Sequence, residues 1–172
     1  MPRATKTIAI ALIAALAAIS ACRRFLPDLV SPYRYEEDSR QHVWWTYRFA
    51  DPGLFPDDIA ADYFSKFTFA PMGYQLLMKT FVPFVDAQTF SDAVPFALTG
   101  IIVLLAFLLG RTVSGGSWLG GSVAAVLGTT GFILGRVQGG VPRSWAIPVL
   151  LFALWGLLEK RWALFGEVIG HE

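Results

Sequence analysis

Long apolar runs dominate the pattern of this chain and predict membrane-spanning helices. Three strong runs and one weaker run are nearly free of charge and too long to be strands. They cover residues 7–21, 93–109, 117–134 and 145–158. Crossing the hydrocarbon takes about 20 residues, so the first and fourth runs are short. Flanking Arg and Lys side chains can snorkel, and the fourth helix can begin at Pro142. We therefore expect an all-α polytopic membrane protein with four transmembrane helices.

Local signals mark the ends of the second helix. Asp92 is a candidate cap, with Pro95 in the first turn, where its missing N–H costs nothing. Gly110 and Arg111 provide a stop at the negative pole of the helix dipole.

The third run contains glycines at the four-residue spacing that lets two helix backbones approach closely in lipid. The pairs are Gly116 with Gly120 and Gly131 with Gly135. We expect this helix to pack closely against a neighbour, although glycine is also common in membrane helices in general.

The segment after the first run is polar and aromatic, and we predict a folded loop there. It holds most of the acidic residues and all five tyrosines. Aromatic residues recur among the charges, whereas a disordered connector would lack them. Short helices are predicted at 39–50, after an Asp38/Gln41 capping box, at 58–67, capped by Asp57 and Asp58, and at 71–81, with Pro71 in first position. These helices should lie along the membrane interface.

The chain therefore divides into three parts. Residues 1–22 form an N-terminal transmembrane helix that is a candidate uncleaved signal anchor, 23–91 the extracytoplasmic loop, and 92–172 three further helices with a short tail. Cys22 also follows a run that resembles a bacterial lipoprotein signal, so cleavage and lipidation there are an alternative.

Charge predicts the orientation. The short segments that are cytoplasmic when the N-terminus is inside carry more basic residues than the short outer loop, whereas Arg23 and Arg24 argue the other way. The inner set is Arg3, Lys6, Arg111, Lys160 and Arg161, and the outer set is Arg136 and Arg143. We expect an integral protein of the bacterial inner (plasma) membrane, with a cytoplasmic N-terminus.

Composition narrows the chemistry. Of the 172 residues, 55% are hydrophobic and 16% charged, and the formal net charge of +1 gives no field that favours nucleic acid. One cysteine and two distant histidines exclude a zinc cluster built from Cys and His. A divalent metal would need carboxylates, and Asp57, Asp58 and Asp62 are the candidates. A helix cap followed by a solvated face explains their spacing equally well.

The order of these parts, together with two short motifs, resembles the GT-C class of polytopic glycosyltransferases. The motifs are the acidic stretch YEEDSRQH at 35–42 and the proline-containing segment APMGY at 70–74. The resemblance implies a catalytic carboxylate in the first outer loop and a sugar donor linked to polyprenyl phosphate. The class has more spans than the four predicted here, so the resemblance implies the N-terminal portion of a longer enzyme or a small relative without a complete active site.

Glycosyl transfer needs a carboxylate that takes the acceptor's proton and positive charge near the departing phosphate. Asp38, with Glu37 beside it, is the candidate base, although Asp38 is also explained as a helix cap. Arg40, or a metal held by the acids, is the candidate for stabilising the phosphate.

The remaining candidates for substrate binding are His42, Arg136 and Arg143. His42 could move protons or bind a ligand, and the two arginines could contact a lipid phosphate. Ordinary placement at the membrane interface is the competing explanation for all three. The alternative function is a non-catalytic four-span scaffold or accessory subunit that binds a partner protein through its outer loop. Further hydrophobic segments encoded in the same reading frame would favour the glycosyltransferase over the scaffold.

Overall fold

The computed structural model describes residues 2–31, 33, 37–65 and 70–160, and the regular secondary structure of this part of the chain is all helical, with no strand. The α-helices are α1 (Arg3–Val30), α2 (Glu37–Val43), α3 (Ile59–Phe64), α4 (Met72–Phe81), α5 (Ala87–Val113), α6 (Trp118–Leu127), α7 (Gly131–Val137) and α8 (Ala146–Leu158). Short 3₁₀ segments cover Trp44–Phe49, Gln138–Gly140 and Pro142–Trp145.

Two helices, α1 and α5, are long and apolar enough to cross a membrane. They have 28 and 27 residues, longer than the apolar runs that predicted them. In α1 the extension beyond Cys22 is held by burial, because Phe25 is 1% exposed and Asp28 is 9% exposed. The helix therefore carries an acidic side chain into the folded interior at its C-terminal end.

The cap of α5 is Asp86, and the prediction that Asp92 caps this helix is wrong. The Asp86 carboxylate accepts a hydrogen bond from the Thr89 backbone N–H at 2.8 Å. Residues 87–92 then form an additional helical stretch that buries Ala87 and Ser91 against the rest of the protein. Pro95 consequently lies inside the helix, not in its first turn.

The third predicted helix is broken into two. The helix pair α6 and Gly131–Gly140 is bent by 62° across the break at residues 128–130. The Thr129 hydroxyl, at the break, donates to the Val126 carbonyl at 2.8 Å. Among the described residues, α1 and α5 are two candidate spans by length and composition, and the bent pair is a third if it counts as one span. Pro142–Leu158 is too short to be counted.

The close helix contact in the bundle lies between α5 and α6. A Cβ added at Gly110 would lie 2.5 Å from the Ala124 Cβ and 2.7 Å from the Gly120 carbonyl oxygen. The close packing predicted at Gly120 is therefore confirmed, with Gly110 as the partner that the spacing did not identify. The prediction is wrong for Gly116, Gly131 and Gly135, because a Cβ added at these glycines would meet open space or only an ordinary contact.

The segment between α1 and α5 is folded, as its aromatic content predicts. The 3₁₀ segment after α2, together with α3 and α4, encloses a core formed by Val43, Trp45, Ala61, Tyr74 and Met78. Pro71 directly precedes α4 and is not its first residue, whereas Asp58 caps α3 as expected. We call residues 37–65 and 70–86 the loop unit. It packs against the first turns of α5 through Ala87 and Phe90.

Contacts define two ends of the helix bundle. At the loop end, Arg24 of α1 contacts Gln138, and Ser91 of α5 contacts Gly139. At the opposite end, which we call the N-terminal end, the Lys6 ammonium lies 5.1 Å from the Trp118 ring centroid. The Thr112 hydroxyl there donates to Glu159, just after α8, at 2.6 Å. Hence α1, α5, the α6–α7 pair and Pro142–Leu158 each run from one end to the other.

Candidate functional site

Polar and charged side chains gather at the loop end, where four parts of the chain meet. These are the last turns of α1, the short helix α2, the first turns of α5 and the turn at residues 138–145. We call this set the polar layer; its members are Arg24, Asp28, Asp38, Ser39, Gln88, Asp92, Gln138 and Arg143. Two of its acids, Asp28 and Asp92, are 9% and 5% exposed.

An ion pair joins Asp38 to Arg143. Nη1 of Arg143 contacts Oδ2 of Asp38, and the side chains are 54% and 28% exposed. Helix α2 begins at Glu37, so Asp38 lies inside the first turn and the prediction that it caps the helix is wrong. The structure thus brings the candidate base and one of the candidate phosphate-binding arginines into direct contact.

Gln88 links the loop unit to α5. Its Nε2 donates to the Ser39 hydroxyl oxygen at 3.0 Å and lies 3.1 and 3.0 Å from the two carboxylate oxygens of Asp92. Ser39 is fully buried. Because a buried polar group is costly without a partner, the amide stabilises both the hydroxyl and the carboxylate.

A second amide, that of Gln138, bridges two residues of α1. Its Oε1 accepts a hydrogen bond from Arg24 Nη2 at 2.6 Å, and its Nε2 donates to Asp28 Oδ2 at 2.8 Å. Arg24 and Asp28 lie one helical turn apart, which matches the reach of a single amide. This bridge fixes the turn at residues 138–145 against α1.

The backbone of the same turn is fixed against α5. The Ser91 hydroxyl donates to the Gly139 carbonyl at 2.5 Å. Pro95 has no N–H, so the Ser91 carbonyl lacks its usual donor four residues along the helix, and the turn packs against this carbonyl at Gly140. Gly140 has φ +59°, and a Cβ there would lie 2.9 Å from the Val94 Cβ. Only glycine combines this conformation with this close approach.

The other predicted substrate-binding residues lie nearby with different surroundings. Arg40 is exposed and His42 half-buried, both on α2 with Asp38. Arg136 is exposed on α7, with its guanidinium carbon 5.3 Å from the Phe132 ring centroid, which agrees with interfacial anchoring. The side chain of Glu37, the second candidate base, lies outside the described residues.

The metal site predicted at Asp57, Asp58 and Asp62 is not formed. Asp58 caps α3 by accepting from the N–H groups of Ala60 and Ala61 at 2.8 and 3.1 Å. Asp62 forms a 2.5 Å ion pair with Arg48. Across residues 2–31, 33, 37–65 and 70–160, no group of three His, Cys, Asp or Glu side chains is placed to hold a metal ion. The spacing of these acids reflects a cap and an ion pair.

Two side chains of the loop unit, Tyr74 and Asp86, have shifted acid strengths. Burial raises the pKa of Tyr74 well above its ordinary value. Partial burial alone would raise the pKa of Asp86, but hydrogen bonds from Thr89 and Tyr47 outweigh it and lower that pKa.

Sequence patterns identified Asp38 and Arg143 as site residues and missed the other six members of the polar layer: Arg24, Asp28, Ser39, Gln88, Asp92 and Gln138. A usable signal existed for Asp28, because an acid one turn after Arg24 in a continuing helix is an ionisable group near a membrane interface. Gln88 and Asp92 share the four-residue spacing of helix neighbours. Gln138 acts through a contact between distant segments, and no local pattern carries that information.

Comparisons with protein-family models, with curated proteins and with solved structures found no match to this chain.

Proposed function

We propose that this chain is a membrane glycosyltransferase-like protein that uses a sugar donor linked to polyprenyl phosphate at the extracytoplasmic face. Asp38 acts as the base, and Arg143 binds the phosphate. The observation that carries the proposal is the contact between these two side chains at the loop end of the bundle. A carboxylate and a guanidinium are the two groups that the reaction needs, and both remain partly exposed.

The proposal includes four transmembrane segments. Two of the described helices, or three if the bent pair counts as one span, are long and apolar enough to cross a membrane. Support comes from the contacts at both ends of the bundle, which all four segments share. Basic residues favour a cytoplasmic N-terminal end in a bacterial inner membrane: Arg3, Lys6, Arg111 and Lys160. The polar layer then lies at the outer surface, at the depth of lipid headgroups.

In the proposed reaction, an acceptor hydroxyl attacks the anomeric carbon of the donor. The new carbon–oxygen bond forms as the bond from that carbon to the phosphate oxygen breaks. Asp38 takes the hydroxyl proton, and the polyprenyl phosphate leaves with the electron pair of the broken bond. Arg143 compensates the negative charge of the leaving group.

The ion pair gives this step an order. While Arg143 contacts Asp38, the guanidinium is engaged with the carboxylate and not with a phosphate. A donor phosphate that attracts Arg143 separates it from the Asp38 carboxylate, which can then take the proton of the acceptor hydroxyl.

A non-catalytic scaffold is the second candidate, and the same ion pair favours it in a different way. Together with the Ser39–Gln88 hydrogen bond, it holds the loop unit on the bundle. Exposed apolar side chains of the loop unit, Ile59 at 84% and Tyr63 at 54%, would then contact a partner protein.

The Asp38→Asn variant separates the two functions because Asn can still accept a hydrogen bond from Arg143 but cannot act as the base. Transfer from a polyprenyl-phosphate sugar, measured in membrane vesicles, should fall at least about a hundredfold with normal expression. Arg143→Gln should also reduce transfer, and Arg136→Gln is the matched control. Unchanged transfer in Asp38→Asn would leave the scaffold as the better account.

A further inference from the structure

An apolar groove runs along the outside of the bundle between α1 and α5. Its volume is about 600 Å³, and its lining includes Ile13, Ala17, Ala21, Val103, Phe107 and Trp118. Small residues keep it open, since four alanines of α1 line it and a Cβ added at Gly100 of α5 would meet nothing within 4 Å. The two helices that border the groove, α1 and α5, are long and apolar enough to cross a membrane. The groove opens on their outer surface.

The dimensions of the groove fit one lipid chain. On α1 its lining extends from Ile10 to Cys22. At about 1.5 Å per helical residue this is about 18 Å. The hydrocarbon of one leaflet is about 15 Å thick, half of a core of about 30 Å. A single acyl chain can therefore occupy the groove along its whole depth.

Two cations stand at the N-terminal end of the groove. Trp118 lines the groove there, and its ring centroid lies 5.1 Å from the Lys6 ammonium and 5.4 Å from the Arg111 guanidinium carbon. Nε of Arg111 is buried, with no hydrogen-bond partner among the described residues. Glu159 is the only acid at this end within the described part of the chain, and it accepts a hydrogen bond from Thr112. Among the residues that the structure describes, the mouth of the groove therefore carries a net positive charge.

We propose that this groove binds an anionic phospholipid. One acyl chain lies between α1 and α5, and Lys6 and Arg111 contact the phosphate. The charge at the mouth selects the headgroup, because basic residues near a membrane surface attract anionic lipids. The charged mouth of this groove lies at the end of the bundle opposite the polar layer, so the site is distinct from that of the proposed glycosyl transfer.

The test uses the whole protein, purified in detergent and then mixed with phosphatidylglycerol or phosphatidylcholine. Native mass spectrometry measures the bound lipid, and thermal unfolding measures the stabilisation that binding produces. Gly100→Leu fills the groove and Lys6→Gln weakens its mouth. Gly131→Leu is the matched control, because a Cβ at that glycine also meets open space but lies outside the groove.

We expect one phosphatidylglycerol to remain bound with at least about tenfold preference over phosphatidylcholine. Gly100→Leu and Lys6→Gln should each reduce its binding about tenfold, and Gly131→Leu should leave it unchanged. Equal binding of the two lipids, or full binding by Gly100→Leu, would overturn the proposal. A dimer that Gly100→Leu dissociates would do the same, since a second copy of the chain would then occupy the groove.

Discussion

Tyr47 donates a hydrogen bond from its hydroxyl to Oδ1 of Asp86 at 2.7 Å, and Asp86 is the residue directly before α5. The other carboxylate oxygen caps the helix through Thr89. One side chain thus connects the helix end with the 3₁₀ segment Trp44–Phe49.

The stability of the folded protein should depend on pH through the ionisation of the Asp86 carboxyl group. Its pKa is lower in the folded protein, so the ionised form stabilises the fold at pH values above the ordinary carboxyl pKa of about 3.9. That contribution is lost as the pH falls through the lowered folded-state pKa. Asp86→Ala should lower the free energy of unfolding by about 1 kcal/mol near neutral pH. The variant should also lose less stability than the original protein as the pH falls. Thermal unfolding between pH 3 and 7 measures this, in steps of about half a unit. Tyr47→Phe should show a smaller loss of the same sign, and an Asp86→Ala protein with the same acid profile as the original would contradict the assignment.

The close contact between α5 and α6 predicts that replacing a glycine by a larger residue destabilises the protein at some positions and not at others. Gly110→Leu places a side chain where Ala124 and Gly120 already lie, so it should lower the unfolding free energy by about 1–3 kcal/mol or abolish folded yield. Gly131→Leu should leave both unchanged. Folded yield and melting temperature in detergent provide the comparison, and equal behaviour of the two variants would refute the close contact.

The bridge at Gln138 predicts coupling between distant segments. Gln138→Leu removes a donor from the buried Asp28 carboxylate and an acceptor from Arg24, so it should cost about 1–3 kcal/mol. The loss should be smaller in an Asp28→Asn background, because the neutral amide is less costly to leave without this donor. A double-mutant cycle measures the coupling. Strictly additive effects would show that the bridge contributes no net stability.

Orientation yields a labelling prediction. Cysteine at Ser65, in the loop unit, should react with a membrane-impermeant thiol reagent in intact cells, and cysteine at Lys160 should not. A Cys22→Ser background removes the native thiol, which is exposed. Labelling only at position 160 would reverse the proposed topology.

Local patterns predicted the helical elements well but not their ends or their breaks. The apolar run at 93–109 identified α5, yet the six residues before it were unassigned because Asp92 is a plausible cap and its burial depends on contacts with the loop unit and α5. The run at 117–134 is continuous in hydropathy, so it does not indicate the break at 128–130, where Gly128 lies beside Ile102 and Ala106.

The polar layer shows the same limit more clearly. Asp38 and Arg143 were each identified by residue type and position, but their contact depends on how the turn at residues 138–145 packs on α5. That packing requires a left-handed Gly140 beside the Ser91 carbonyl. A single sequence contains both residues without indicating that they meet.

The break between α6 and α7 has a consequence for hydrogen exchange and hydration. The first N–H groups of α7, at Gly131, Phe132 and Ile133, have no acceptor within the helix, and Thr130 does not cap them with its side chain. Gly128, just before them, packs against Ile102 and Ala106, halfway along α5. In the proposed four-span arrangement these N–H groups lie near the middle of the membrane, where an N–H without an acceptor is unstable, so we expect water or another carbonyl to reach them. Deuterium uptake at these three amides should therefore exceed that of their neighbours in α6, and hydration would be concentrated at the centre of this segment.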